Sequence, residues 1–205
     1  MTGLKGVLLV DNAAVIIDNR PSKELSKIID AHMAFLPNWD LKHFSDVKIN
    51  SGHDYNMILT DYWFWYNLKE YDKVLIFQHD SMILRAFDEE MYNYSYVGGP
   101  WKADAPWARK DRAGGNGGIS LRDVKDHIEL LDNVNYRPQR HGNEDVFFTH
   151  HLPNVAPYEI CSKFGVETEF KLGTCTYHAI DKYLTPDECL QIRKQYEYQS
   201  NEMFP

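Results

Sequence analysis

The chain is 205 residues long, 43% hydrophobic and 25% charged, enough apolar sequence for one well-cored domain with no need of a second. Its formal net charge of -8 and pI near 5.5 argue against nucleic acid as the main partner, because binding a phosphate backbone needs a cationic face. The apolar run Val7 to Val10 is far below the roughly 20 residues of a membrane-spanning helix, and no signal-peptide cleavage pattern follows it. Cys161, Cys175 and Cys189 have no metal-pair spacing and cannot all pair internally, which fits a reducing compartment. The expectation is a soluble cytoplasmic protein, or a domain excised from a longer one, with no membrane span in this chain. In an acidic protein, an anionic ligand calls for a metal ion or a local basic loop.

Ala13 to Ile17 reads as an apolar strand ending on Asp18-Asn19-Arg20-Pro21. Ser22 then caps a helix with Leu25, Ile28, Ile29, His32 and Met33 on one face. Trp39 to Phe44 is a second strand, giving a β-α-β opening whose first loop lies on the ligand side. Ile58 to Leu68 carries Ile58, Leu59, Tyr62, Trp63, Trp65 and Tyr66 at helical spacing and predicts one buried aromatic helix. Val74-Leu75-Ile76-Phe77 then has the unbroken apolar run of a strand covered on both faces. Gln78-His79-Asp80 falls at its carboxyl end, the rim where open α/β sheets bind ligands. A carboxylate there serves as a turn former or as a ligand for a divalent cation against a phosphate.

Tyr94 to Val97 predicts a short strand leading into Gly98-Gly99-Pro100-Trp101. The loop that follows holds Lys102, Arg109, Lys110 and Arg112, either a solvated turn or a local basic loop. Gly114-Gly115-Asn116-Gly117-Gly118 permits close approach of backbone to a ligand or strand, or forms a loose turn; it lacks the Lys-Ser/Thr of a P-loop. Ile119-Ser120-Leu121-Arg122 comes next, with a helix whose inner face carries Leu121, Val124, Ile128 and Leu131. Asn143 is a cap for a helix opening on Glu144-Asp145, an acidic pair favourable to the helix dipole whatever its function, with Val146, Phe147 and Phe148 buried. Thr185-Pro186-Asp187-Glu188 is a capping box, so a closing helix runs from about 186 to 198 with a frayed tail beyond.

Phe77-Gln78-His79-Asp80-Ser81, Tyr96-Val97-Gly98-Gly99-Pro100-Trp101, Gly115-Asn116-Gly117-Gly118-Ile119-Ser120-Leu121-Arg122 and Asn143-Glu144-Asp145-Val146-Phe147-Phe148 occur here in the order of the DUF5672 family of glycosyltransferase-like domains. The resemblance runs from about Ala13 to Leu184, and that family resembles the GT-A class of nucleotide-sugar-dependent glycosyltransferases. It implies a single GT-A-like (Rossmann-like) α/β domain over 1–205, its core at about 13–184, with a mostly parallel central sheet flanked by helices. It implies transfer of a sugar from a nucleotide-sugar donor to an acceptor hydroxyl, inverting and assisted by Mn2+ or Mg2+. The GT-A metal motif Asp-x-Asp reads Gln78-His79-Asp80 here, so Asp80 is the acidic ligand and His178 in Thr176-Tyr177-His178 the matching imidazole. Gln78 then hydrogen-bonds the ribose or orients Asp80, and diphosphate oxygens and water complete the site.

By the same resemblance Asp145 is the general base and Glu144 orients acceptor or donor hydroxyls, two roles open to exchange. Asn116, Gly117 and Gly118 line the donor, and Asp18, Asn19 and Arg20 lie on the side of the base and ribose or simply form a turn. Trp101 stacks on a sugar or belongs to the core, and Arg109 or Arg112 meets phosphate from a closing loop. The neutral Gln78 leaves an inactive GT-A-like module that binds glycan or nucleotide as the alternative. A metal-dependent hydrolase or nucleotidyltransferase would need more clustered carboxylates.

Overall fold

The computed structural model describes residues 12–20, 23–108 and 115–203, with side chains to residue 196. A five-stranded sheet of order β2-β1-β3-β6-β5 forms the centre, built from β1 (Asn12–Ile17), β2 (Asp40–Phe44), β3 (Lys73–Phe77), β5 (Tyr96–Gly98) and β6 (Ile119–Asp123). β4 (Ser81–Ile83), β7 (Gly165–Val166) and β8 (Thr176–His178) make a second, three-stranded sheet in the order β4-β8-β7. The helices are α1 (Lys23–Ala34), α2 (Gly52–Leu59), α3 (Tyr62–Tyr66), α4 (Val124–Asn133), α5 (Pro138–His141), α6 (Glu144–His151), α7 (Tyr158–Phe164) and α8 (Pro186–Met203). Short 3-10 turns occupy Glu89–Asn93 and Ile180–Lys182.

The apolar runs of β1 and β3 are buried on both faces, as their composition dictates. Alternate residues feed opposite cores because strand side chains alternate across the sheet. Ala14, Ile16, Leu75 and Phe77 pack with Leu25 and Ile29 of α1 and with Phe164 of α7. Ala13, Val15, Val74 and Ile76 pack with Leu59 of α2, Trp65 of α3, Val124 of α4, and Phe147 and Phe148 of α6. Each such large side chain contributes about 1.5–3 kcal/mol by leaving water.

The sheet is mixed rather than mostly parallel. β1 pairs in parallel with β2 and β3, whereas β6 runs antiparallel to both β3 and β5. Leu121, expected on a helix, sits in β6 opposite Leu75 and Val97. The helix starts three residues later, where the Asp123 carboxylate accepts from the Asp126 N–H at 2.9 Å. Ile119 and Leu121 alternate with Ser120 and Arg122, a period of two that favours a strand over a helical turn. The strand expected at Tyr94 begins at Tyr96.

The aromatic segment is likewise two helices, not one. Thr60 ends α2, and Asp61 caps α3 by accepting from the Trp63 and Phe64 N–H groups at 2.7 and 3.2 Å. The break turns Trp63 outward, 63% exposed, while Phe64 and Trp65 stay buried. At the other end the capping box forms as read: the Thr185 N–H donates to Glu188 Oε2 at 2.8 Å, and the Glu188 N–H donates to Thr185 Oγ1 at 3.4 Å. α8 continues to Met203, through the tail expected to fray. The expected cap Ser22 lies outside the described residues. Among those described, no helix is long and apolar enough to cross a membrane.

Candidate functional site

Parallel pairing of Ile16 with Phe77 places the carboxyl ends of β1 and β3 side by side. Antiparallel pairing of Phe77 with Ile119 brings the start of β6, and the glycines before it, to the same rim. The second sheet adds His178, which stands opposite Ser81 just after Asp80. A cleft of about 530 Å3 opens there, lined by Asp18, Asn19, Arg20, Gln78, His79, Asn116, Gly117, Gly118, Glu144, Asp145 and His178. Thus most of the residues singled out from sequence converge on one cavity.

At the end of β1, the Asp18 carboxylate accepts from the Arg20 backbone N–H and from Arg20 Nε, both at 2.9 Å. The Arg20 side chain, followed by opposing burial, sets the Asp18 ionisation, and the net effect holds this carboxyl below its ordinary range. Arg20 Nη2 also reaches His79 Nδ1 at 2.8 Å, tying the loops after β1 and β3 together. Asn19 donates to the Val47 carbonyl at 3.0 Å. Asp18 and Arg20 thus close a local side-chain-to-backbone turn, and all three residues of Asp18-Asn19-Arg20 line the cleft.

At the end of β3, His178 sits among carboxylates. Its Nδ1 meets Glu167 Oε2 at 3.0 Å, and its Nε2 lies 3.2 Å from both Gln78 Oε1 and Asp80 Oδ1. Burial disfavours a charged imidazole, but the Asp80 and Glu167 carboxylates outweigh it and lift His178 to about 9. Burial also works against the Asp80 charge, and His178 and Lys182 overcome it, so its carboxyl lies far below the ordinary range. Lys182 Nζ donates to Asp80 Oδ2 at 3.2 Å. Asp80 itself is not part of the cleft lining; Gln78 and His178 stand in front of it.

This cluster fits a divalent cation on one structural ground. Among the described residues Asp80 Oδ1 is buried with no hydrogen-bond partner, although His178 Nε2 is at ion-pair distance. Glu167 braces the far nitrogen of that imidazole, the carboxylate–histidine arrangement that orients metal-ligating histidines. Among the described residues no group of three His, Cys, Asp or Glu side chains is disposed to hold a metal. The protein would therefore contribute Asp80 and His178 only.

The glycine loop is packed as tightly as its sequence allows. A Cβ on Gly118 would lie 2.1–2.3 Å from the His178 ring, and one on Gly117 would lie 2.3 Å from Glu144 Oε1. Gly115, at φ +150, has its backbone against that of Gly98, where a Cβ would come within 2.7 Å. Asn116 donates its backbone N–H to the Gly99 carbonyl at 2.8 Å, and its Oδ1 accepts from Trp101 Nε1 at 2.9 Å. Trp101 is buried and does not line the cleft, so the core alternative applies to it.

The acidic pair at the start of α6 divides in two. Glu144 is 3% exposed and receives both guanidinium arms of Arg122, Nη1 to Oε2 at 2.7 Å and Nη2 to Oε1 at 2.9 Å. Arg122 is fully buried, donates Nε to Ser120 Oγ at 2.8 Å, and lies over the Tyr96 ring at 4.7 Å. Asp145 instead faces the cleft, accepting from the Gly117 N–H at 3.3 Å and the Val146 N–H at 2.7 Å. Burial first, then the neighbouring Glu144 charge, raises its carboxyl to about 7. Asn143 is the N-cap by position, yet it caps with no side-chain hydrogen bond; its Oδ1 accepts from Asn56 at 3.2 Å.

Sequence reading missed Tyr55, Asn56 and Glu167 in the cleft wall, and Arg122 behind it. Arg122 had a signal, a charge at an inward position of a period-two strand. Tyr55 and Glu167 had none, because α2 and the second sheet bring them in from distant segments. Arg109 and Arg112 lie outside the described residues.

The fold and cleft define a mixed α/β protein with a ligand-sized cavity at one sheet rim, into which charged and polar side chains converge. Residues 38–179 match the family model described as "Protein of unknown function (DUF5672)", and the chain belongs to that family. A solved structure titled "Crystal Structure of A197 from STIV" is similar at a TM-score of 0.43 and 17% identity, covering 72% of this chain and 82% of that one. No curated protein matches the chain.

Proposed function

We propose that this protein is a GT-A-like glycosyltransferase that moves a sugar from a nucleotide-sugar donor to an acceptor hydroxyl with inversion. The observation that carries the reading is Asp145, a cleft carboxyl raised to about 7 and steered by the Gly117 N–H, in the same cavity as Arg20, His79 and His178. A base near neutrality and positive groups to meet the diphosphate, here Arg20 and His178, are the two halves of glycosyl transfer from a diphosphate. Placement at the carboxyl ends of the parallel strands β1 and β3 supports a nucleotide ligand.

In the reaction, the acceptor oxygen attacks the anomeric carbon from the face opposite the diphosphate. The new C–O bond forms as the bond to the diphosphate oxygen breaks, and Asp145 takes the acceptor proton. Glu144 is the poorer base because both its oxygens are held by Arg122, so its role is to fix the first turn of α6. Arg20, bridged to His79, faces the diphosphate, while Asp18 and Asn19 shape the turn on the ribose side. A divalent cation, if bound, would be held by Asp80 and by a His178 imidazole that gives up its proton on binding, and would supply positive charge to the departing diphosphate.

Replacing Asp145 by Asn tests the assignment. The variant binds the donor as the wild type does and transfers about 100- to 10,000-fold more slowly, the usual contribution of a general base. Undiminished transfer by the variant rules out Asp145 as base.

A further inference from the structure

We propose that Tyr55 reads the sugar: its phenol hydrogen-bonds a hydroxyl of the donor's glycosyl group, a specificity-determining contact that rests on the transferase reading above. Tyr55 lies in α2, which Ser51 starts by accepting the Asp54 N–H at 3.3 Å, and its side chain lines the cleft. Its Oη is buried to under 1 Å2 of exposed area and has no hydrogen-bond partner among the described residues. Such an orphaned hydroxyl costs about 1–3 kcal/mol, and phenylalanine would fill the same space without that cost.

The surroundings say what would complete it. Burial first, then Glu144, pushes the phenol's ionisation up, with Asp80 adding to it and the Gln78 amide and the Arg122 charge opposing it. Glu144 is occupied by Arg122 through both oxygens, and Gln78 Oε1 faces His178 Nε2. The Gln78 amide lies close enough to act on the phenol as a side-chain partner, yet no hydrogen bond of good geometry forms between them, so the phenol stays open to a ligand. Two carboxylates nearby disfavour an anionic group at this point, whereas a neutral hydroxyl can both give and accept a hydrogen bond there. Tyr55 also stands between Gln78, on the diphosphate side, and the Glu144-Asp145 turn. Under the proposed reaction that interval holds the glycosyl ring.

The experiment compares wild type with Tyr55→Phe by calorimetric titration of UDP and GDP, and of UDP-glucose, UDP-galactose, UDP-N-acetylglucosamine and GDP-mannose, alongside thermal unfolding. The expected variant melts at or above the wild-type temperature, binds the free nucleoside diphosphate unchanged, and binds the matching nucleotide sugar about tenfold more weakly. Equal weakening of both ligands, no weakening of either, or a lowered melting temperature with unchanged binding overturns the assignment of Tyr55 alone. Wild type that binds none of the six probes overturns the transferase reading and this inference with it, and is told apart because the failure precedes any mutation.

Discussion

At the residue scale the decisive contrast lies between two adjacent carboxylates. Glu144 is neutralised by a bidentate arginine, while Asp145 has two backbone N–H donors and, among the described residues, no cation in contact. Under the proposed transfer reaction that difference favours Asp145 as the base, and it makes pH the natural probe. A base raised to about 7 must be deprotonated to act, so kcat/KM falls tenfold per unit as pH drops below about 7. A profile flat from pH 5 to 8 contradicts it. Stability follows with the opposite sign: the folded state holds a proton that the unfolded chain releases near 3.8, so this carboxyl weakens the fold as pH rises from about 4 through 7. Asp145→Asn is therefore expected to melt above wild type at pH 8, by about 2–4 °C for each kcal/mol of that penalty removed, with the gain shrinking towards pH 4, as thermal scans at both pH values would reveal. Asp145, Asp80 and His178 were legible as residues because strand ends, a capped helix and family motifs mark them. The Glu144–Arg122 pairing was not, since it joins β6 to α6 and depends on which inward position of a strand carries the charge.

At the scale of elements, β6 does the most to build the site. Its reversed direction delivers the glycine run to the rim, and Arg122 ties that run to α6. The inner-face pattern of Leu121, Val124, Ile128 and Leu131 suggested a longer helix because a short strand followed at once by a helix shares its apolar residues between two periods. Likewise the aromatic run gave no hint that Asp61 would restart the helix, since capping depends on where the preceding turn ends. Arg122→Met is expected to cost about 3–5 kcal/mol in urea unfolding, because it strands the buried Glu144 charge, and Arg122→Met with Glu144→Met recovers most of that loss. A single variant within about 1 kcal/mol of wild type contradicts the buried pair. Gly118→Ala drives a methyl into the His178 ring and is expected to weaken donor binding; an unaffected affinity would separate that ring from the site.

For the whole molecule, a central sheet built around β1 and β3 was foreseeable because their apolar runs could only be buried, but the antiparallel half formed by β6 and β5 was not. The second sheet was not, because β4, β7 and β8 are too short to show a period. The packed core also holds two neutral histidines. Burial lowers His32 to about 4 and His127 well below its ordinary value. The unfolded chain takes up their protons below about 6.5, so they withdraw stability as pH falls, His32 alone by about 3 kcal/mol at pH 4. Asp145 titrates with the opposite effect over much of that window, so the loss is read most cleanly in Asp145→Asn, as a fall in urea-unfolding free energy from pH 6.5 to 4. An unchanged free energy over that range contradicts neutral burial. At the molecular level the chain carries a net charge of -8 and the cleft sets Arg20 and His178 beside Asp18, Glu144, Asp145 and Glu167, so anion binding there is the claim on which the account rests. The most direct test is a thermal-shift panel of nucleoside diphosphate sugars with Mn2+. A donor at about 100 times its dissociation constant adds roughly 2.7 kcal/mol, so at least one sugar nucleotide should raise the melting temperature by about 5 °C or more. A melting temperature unmoved by every sugar nucleotide in the panel contradicts the glycosyltransferase assignment.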